Sequence, residues 1–237
     1  MCDRAIILAG GLGSRLRPYT IVFPKPLMPL GKYPILEVIV RQLRAAGFRR
    51  ITLAVNYQAE LLKAFFGDGS RWDLQIDYSL ETVPLSTVGP LTLIDDLPEH
   101  FLLMNGDVLT DLDFRQLCED HVSDKRNYTI AASRRSHKSD YGVLHTDSKQ
   151  MLTGFEEKPV SHYLVSMGVY VVSRNLVSAL PRGVKYGFDN LMIDMLGRGE
   201  PVHVHPHEGY WKDIGRPEDY MEAIDDFEGE IGARLLP

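Results

Sequence analysis

The sequence predicts an α/β fold built on a mostly parallel sheet with helices on its faces. Apolar runs at residues 5–9, 51–55 and 101–104 have the length of buried strands, and they alternate with stretches of helical periodicity. A chain of 237 residues is also long enough to bury roughly 70–75% of its unfolded surface. After the first strand, Leu36, Ile39, Val40 and Leu43 recur at helical spacing, and Gly47 is placed to end that helix. A second helix is expected over 56–66, a turn over 66–70 and a strand over 74–78, before a loop over 81–89 interrupts regular structure. In the second half, residues 128–133, 142–146, 150–155 and 165–172 alternate apolar with polar, as strands of a half-exposed sheet do. Helices are expected over 174–180, 188–196 and 217–227, the last with Pro217 in its first turn.

His203, His205 and His207 alternate on what reads as a strand. Neighbours at this spacing stand ~7 Å apart, too far to chelate Zn²⁺ easily, so they read as the polar face of an edge strand whose other face is Val202, Val204 and Pro206. No repeat of 20–50 residues is visible.

Composition narrows the function classes. The formal net charge is −6, so there is no general polyanion-attracting field, nucleic-acid binding is not expected, and cations for small anionic substrates must be concentrated locally. The N-terminus runs directly into a strand without a basic leader or an apolar stretch of bilayer length, so the expectation is a cytoplasmic chain with no membrane partner. Cys2 and Cys118 fit no metal or disulfide spacing and read as a reduced, non-catalytic pair. Asn127-Tyr128-Thr129 is formally a glycosylation sequon, of no consequence without a secretory signal.

Local positive charge is concentrated at one place. Leu8-Ala9-Gly10-Gly11-Leu12-Gly13-Ser14-Arg15-Leu16-Arg17-Pro18, followed by Pro24-Lys25-Pro26-Leu27, puts a glycine-rich turn and fixed cations straight after the first strand. Glycines let backbone N–H groups approach anionic oxygens, and Arg15 and Lys25 can neutralise the charge, so the loop is expected to hold a nucleoside triphosphate. No lysine followed by Ser or Thr closes the turn, which excludes a Walker A loop, and Leu16 stands where a dinucleotide fingerprint needs its third glycine.

These residues resemble the sugar-1-phosphate nucleotidylyltransferases (NDP-sugar pyrophosphorylases), most closely in look the mannose-1-phosphate and manno-heptose-1-phosphate guanylyltransferases. The family motif Gly-Gly-x-Gly-Thr-Arg-Leu-x-Pro-x-Thr is met from Gly10 to Thr20 with Ser14 the one departure. The likeness continues through Asn105-Gly106-Asp107, Phe155-Glu156-Glu157-Lys158-Pro159 and Trp211-Lys212-Asp213-Ile214-Gly215. The resemblance implies a three-layer α/β/α, Rossmann-like nucleotidyltransferase with a central mixed sheet, an NTP-binding half at 1–125 and a sugar-phosphate-binding half at 126–237. Some relatives carry a C-terminal β-helix of hexapeptide repeats, which is not expected here.

By the same resemblance, Leu8, Ala9, Gly10, Gly11, Gly13, Ser14, Arg15, Glu81, Pro84 and Gly89 contact the nucleotide, and Arg15 and Lys25 are the catalytic cations. Asp107 and Asp213 bind Mg²⁺, while Gly142, Glu157 and Lys158 hold the sugar 1-phosphate. Read without the family, Asp107 is a turn aspartate, Asp213 a cap or turn residue ahead of the last helix, and Glu157-Lys158 a solvated charge run. Asp95, Asp96, Asp111 and Asp113 read as ordinary solvated acids. Ser86 and Val88 depart from the Pro-Leu-Gly-Thr-Ala-Gly common in relatives, which touches base specificity.

The implied reaction is NTP + sugar 1-phosphate → NDP-sugar + pyrophosphate, with GTP and a mannose- or manno-heptose-type phosphate leading. Uridylyl, thymidylyl or cytidylyl transfer to glucose- or muramic-type phosphates uses the same scaffold, and a catalytically silent NDP-sugar sensor is the alternative from another class. Apolar residues over 191–196 suit either a homodimer surface or ordinary core packing.

Overall fold

Alternate residues of the first strand, β1 (Arg4–Leu8), enter different cores: Ala5 and Ile7 pack on one side, Ile6 and Leu8 on the other. A strand buried on both faces needs a covering layer on each. The computed structural model describes residues 2–11, 13–56 and 59–236, and it has both layers. A short ladder of β2 (Pro29–Leu30) and β3 (Tyr33–Pro34) leads into α1 (Ile35–Ala45), then β4 (Arg50–Val55), α2 (Ala59–Phe66), β5 (Gln75–Leu80), β6 (His100–Asn105), β7 (Val108–Thr110) and α3 (Phe114–Ser123). There follow β8 (Tyr128–Lys138), β9 (Val143–Thr146), β10 (Leu152–Glu156), β11 (Val160–Ser173), α4 (Arg174–Ser178) and α5 (Phe188–Gly197). The chain then runs through β12 (His203–His207), β13 (Trp211–Asp213), α6 (Pro217–Glu228) and α7 (Glu230–Leu235). Tyr57 and Gln58, at the start of the second expected helix, lie outside the described residues, as does Leu12 of the glycine run.

Among the described residues seven strands form one mixed sheet in the order β12-β8-β11-β6-β1-β4-β5. β6, β1, β4 and β5 are parallel, β11 is antiparallel to both β6 and β8, and β12 is parallel to β8. Buried residues of α1, α2, α3, α6 and α7 cover one face; those of α4, α5 and the 3-10 helix Gly89–Leu93 cover the other. The fold is therefore the expected three-layer α/β/α sandwich. No helix among the described residues is long and apolar enough to cross a membrane.

The second half differs from a half-exposed sheet. Residues 128–133 and 167–173 are buried because β8 and β11 enter the central sheet, while their outer ends, with the β9–β10 hairpin, form an exposed arm. The register of β11 on β8 shifts between Ser166 and Tyr170, around Gly168 at φ 72, where buried and exposed portions meet. Helix α3 was not expected, although Asp113 accepts from Gln116 N–H (2.9 Å) as its cap, and Phe114, Leu117, Cys118 and His121 follow at helical spacing. On α5, Leu191 and Met195 join the core and Ile193 and Leu196 stay exposed.

Strand β12 turns its faces opposite to expectation. Its three histidines are half-buried and Val204 and Pro206 are exposed, because the inward side meets polar partners: His207 Nε2 lies 2.9 Å from Asp111 Oδ1. Asp111 also pairs with Arg234, so it is no free acid; Asp96 pairs with Arg4 and Arg50, and Asp95 with Arg182. Cys2 and Cys118, both free, meet at one small cavity, where the hydrogen bond with Cys2 and burial push the Cys118 thiol upward.

The Tyr128 phenol is buried without a hydrogen-bond partner, its ring stacked 5.8 Å from that of Tyr170. Tyr128→Phe removes the unpaired hydroxyl and keeps the ring, so a gain of about 1 kcal/mol is expected in urea unfolding. A loss of stability would place an unseen partner on that oxygen.

Candidate active site

Leu8, Ala54 and Asn105 stand side by side at the C-terminal ends of three neighbouring parallel strands, and open α/β sheets bind ligands beyond such ends. A cleft of about 720 Å³ opens there, lined by these residues with Gly10, Gly11, Asn56, Glu81, Pro84, Ser86, Pro90 and Asp107 among others. Leu8 O accepts from Gly106 N–H (3.0 Å), and Ala9 N–H donates to Ala54 O (2.8 Å), which fixes where the strand gives way to the loop. Asn56 donates to Gly10 O. Sequence reasoning missed Asn56 as a cleft residue, and the signal was its position just after an apolar strand, as for Asn105.

Gly13 adopts φ 58, and a Cβ there would stand 2.9 Å from Thr20 Cγ2. Only glycine takes both the conformation and the close approach without cost. Its carbonyl accepts from Leu16 N–H and from the Thr20 hydroxyl (2.8 and 2.7 Å), so Ser14–Leu16 forms a single 3-10 turn that leaves Ser14 and Arg15 exposed. At Gly11 an added Cβ meets no protein atom: the space above the loop is the cleft itself.

The two aspartates are brought together by a ladder. β13 pairs antiparallel with β7, setting Asp213 opposite Val108, and Ile214 N–H donates to Asp107 O (3.1 Å). Trp211 Nε1 donates to Met167 O (3.0 Å), pinning β13 against the sheet. Neither aspartate serves as a cap: the residue ahead of α6 is Arg216, whose N–H donates to Asp219. Asp107 Oδ2 pairs with the buried Lys25 ammonium, and Asp107 Oδ1 is buried without a partner. Asp213 is open to solvent on one side, yet enclosure on the other and the nearby Asp107 carboxylate raise its pKa, against the pull of Lys25 and Arg15. A Cβ on Gly215 would lie 3.5 Å from the Arg15 guanidinium, and Arg15, Lys25 and Asp107 all act on the Asp213 carboxyl, so the four charged groups cluster around Asp107, the one among them that lines the cleft.

The remaining candidates separate into two groups. Glu81 accepts from Leu85 N–H (2.9 Å) and shapes the 81–89 loop with Pro84 at the cleft wall. Gly89 is buried behind that wall, where a Cβ would stand 2.6 Å from Val184 O, so it serves backbone packing while Pro90 faces the cleft. Gly142, Glu157 and Lys158 lie together on the arm: a Cβ on Gly142 would meet the Phe155 ring at 2.6 Å and Glu157 Oε2 at 3.3 Å. None of these three lines the cleft.

Ser86 holds φ 69, the left-handed backbone that favours glycine. The position therefore keeps a glycine conformation without the glycine, at a cost of roughly 1–2 kcal/mol. Ser86→Gly is expected to raise stability by about 0.5–1 kcal/mol, less than the full strain because glycine has more unfolded freedom to lose. Chemical denaturation reads this directly, and a decrease would mean that the serine hydroxyl holds the loop.

A chain with this loop, this acidic pair and this sheet order invites comparison with known proteins. The family model described as Nucleotidyl transferase matches residues 4–230. The chain belongs to that family. Within it, the mannose-1-phosphate guanyltransferase of Yarrowia lipolytica is 34% identical over 233 residues, covering 93% of this chain and 62% of that protein. The mannose-1-phosphate guanylyltransferase of Mycobacterium tuberculosis is 31% identical over 230 residues, covering 94% and 64%. The chain thus spans less than two thirds of the length of these relatives. The solved structure of HddC from Yersinia pseudotuberculosis, complexed with GMP-PN, superposes with a TM-score of 0.72 at 25% identity, covering 95% of this chain and 99% of that one.

Proposed function

We propose that the chain catalyses nucleotidyl transfer from GTP to a mannose- or manno-heptose-type sugar 1-phosphate, releasing pyrophosphate. The observation that carries this reading is the convergence of Arg15, Lys25, Asp107 and Asp213 beside the glycine loop, in a family of nucleotidyl transferases. The names of the guanylyltransferase relatives and the GMP-PN complex of HddC favour guanine and mannose.

The reaction makes one bond and breaks one. An anionic oxygen of the sugar phosphate attacks the α-phosphorus, the α–β anhydride bond breaks, and its electrons leave with pyrophosphate. That oxygen is a nucleophile at neutral pH without a base, so the protein's work is in-line positioning and charge neutralisation. Arg15 and Lys25 balance charge on the triphosphate, backbone N–H groups of the 10–13 loop cradle it, and Gly142, Glu157 and Lys158 hold the sugar phosphate from the arm.

The site fits Mg²⁺. Asp107 Oδ1 is a buried carboxylate oxygen lacking a partner, and among the described residues no group of three or more His, Cys, Asp or Glu could form a closed cage. Two hard oxygen ligands completed by phosphate oxygens and water suit Mg²⁺, which keeps water and seldom has an all-protein site. Asp107 and Asp213 would hold it, and when bound it supplies positive charge to the phosphates. Cytoplasmic location and a homodimer complete the reading.

Pyrophosphate release, measured with each of the four NTPs against mannose, manno-heptose, glucose and muramic-type 1-phosphates, tests the function. Preference for GTP with a mannose-type acceptor is expected. Release with another pair reassigns base and sugar, and no release with any pair, alongside NDP-sugar binding, identifies a silent sensor.

A further inference from the structure

We propose that Lys25 is the resident counter-ion of the two-aspartate site, which a divalent cation enters by displacing the Lys25 ammonium from Asp107 toward the substrate's phosphates. This rests on reading Asp107 and Asp213 as the metal ligands. Lys25 pairs with Asp107 Oδ2, and the two side chains are only 10% and 23% exposed. Its backbone is fixed: Pro24-Lys25-Pro26 enters a 3-10 turn in which Leu27 N–H donates to Pro24 O (2.8 Å) and Met28 N–H to Lys25 O (3.0 Å). Only the tip of the side chain is free to choose a partner. A buried ammonium needs an anion beside it, and Asp107 is the one with which it pairs.

Lysine and metal compete for the same charge. A cation held by Asp107 and Asp213 would share the Asp107 carboxylate with the ammonium, and like charges so close repel strongly. The triphosphate resolves the conflict because its oxygens offer Lys25 a second acceptor. Metal and nucleotide then assist each other's binding, and thermodynamic linkage makes that assistance reciprocal. The two-station lysine accounts for a cation pointed at an acid in a site whose ligands are anions.

Mn²⁺ serves as the probe, with free ion followed by electron paramagnetic resonance in the absence of nucleotide. Lys25→Met is expected to bind Mn²⁺ about tenfold more tightly than the wild type, as removal of a nearby like charge implies, and Asp107→Asn to lose the site. Mn²⁺ binding no tighter in Lys25→Met, with loss in Asp107→Asn, overturns the counter-ion role and leaves the metal reading standing. Wild-type binding in Asp107→Asn overturns the metal reading and this inference with it. A second measurement needs no variant: saturating Mn²⁺ should raise acylation of Lys25 several-fold in the wild-type protein, read by mass spectrometry, while Lys63, paired with Glu60 on the surface, stays unchanged. Labelling of Lys25 indifferent to Mn²⁺ overturns the exchange.

Discussion

Asp107→Ala and Asp213→Ala should each lower turnover by about 10²-fold or more, the scale of losing one electrostatic element of a transition-state site. The double variant should be little worse than the poorer single, because groups acting as one unit are not additive. EDTA should reproduce the loss in the wild type. This follows from the β7–β13 ladder, which brings the two carboxylates together although they are far apart in the chain. Had they been turn or capping aspartates, their removal would cost about 0.5–2 kcal/mol of stability and leave activity per folded molecule intact. Pyrophosphate-release rates beside thermal unfolding separate these cases, and near-normal turnover in a folded Asp107→Ala protein would sink the metal assignment.

Lowering the pH should destabilise the fold through His121. This imidazole is fully buried on α3, its Nδ1 2.9 Å from the Thr129 hydroxyl and its Nε2 3.2 Å from His100 Nδ1, with Ser173 beside both rings. Burial first, then the charges of His100, Arg126 and His203, lower its pKa from 6.5 to about 4. The unfolded chain therefore takes up a proton before the folded one does. Stability is fully present above the unfolded value and falls as pH drops from about 6.5 toward 4. Linkage puts the loss at about 2 kcal/mol between pH 7.5 and 5. Urea unfolding at the two pH values measures it. His121→Asn, which keeps hydrogen-bonding capacity but cannot titrate in this range, should flatten the dependence, and an unchanged slope in that variant would move the effect to other groups.

Much of the fold was legible because its causes are local. The first parallel strands are continuous apolar runs, α1 has a clean apolar period, and Pro217 sits at the first turn of α6. Helix α3 was legible in principle, from Asp113 and the spacing of Phe114, Leu117 and His121, but its polar composition hid it. The alternation in β8 and β11 misled for a different reason. Ser133 and Ser173 are buried, Ser173 within the His100–His121 network, so polar residues there mark hydrogen-bonded interior rather than a wet face. For β12 the histidines turn inward because Asp111 waits for His207, which no pattern within one strand reveals.

The order of amino acids alone carries the chemistry available: a glycine loop after a strand, two cations close behind it, and aspartates in motifs that resemble those of a family. These are properties of short segments, where backbone freedom and charge are set by neighbours in the chain. Tertiary structure decided which of them meet. Pairing of β13 with β7 brought two distant aspartates together, burial gave Lys25 to Asp107, and close packing against Val184 put Gly89 behind the cleft wall instead of in it. The reason is that strand register and buried ion pairing are fixed by contacts distant in sequence, which stabilise only when the whole sheet has assembled.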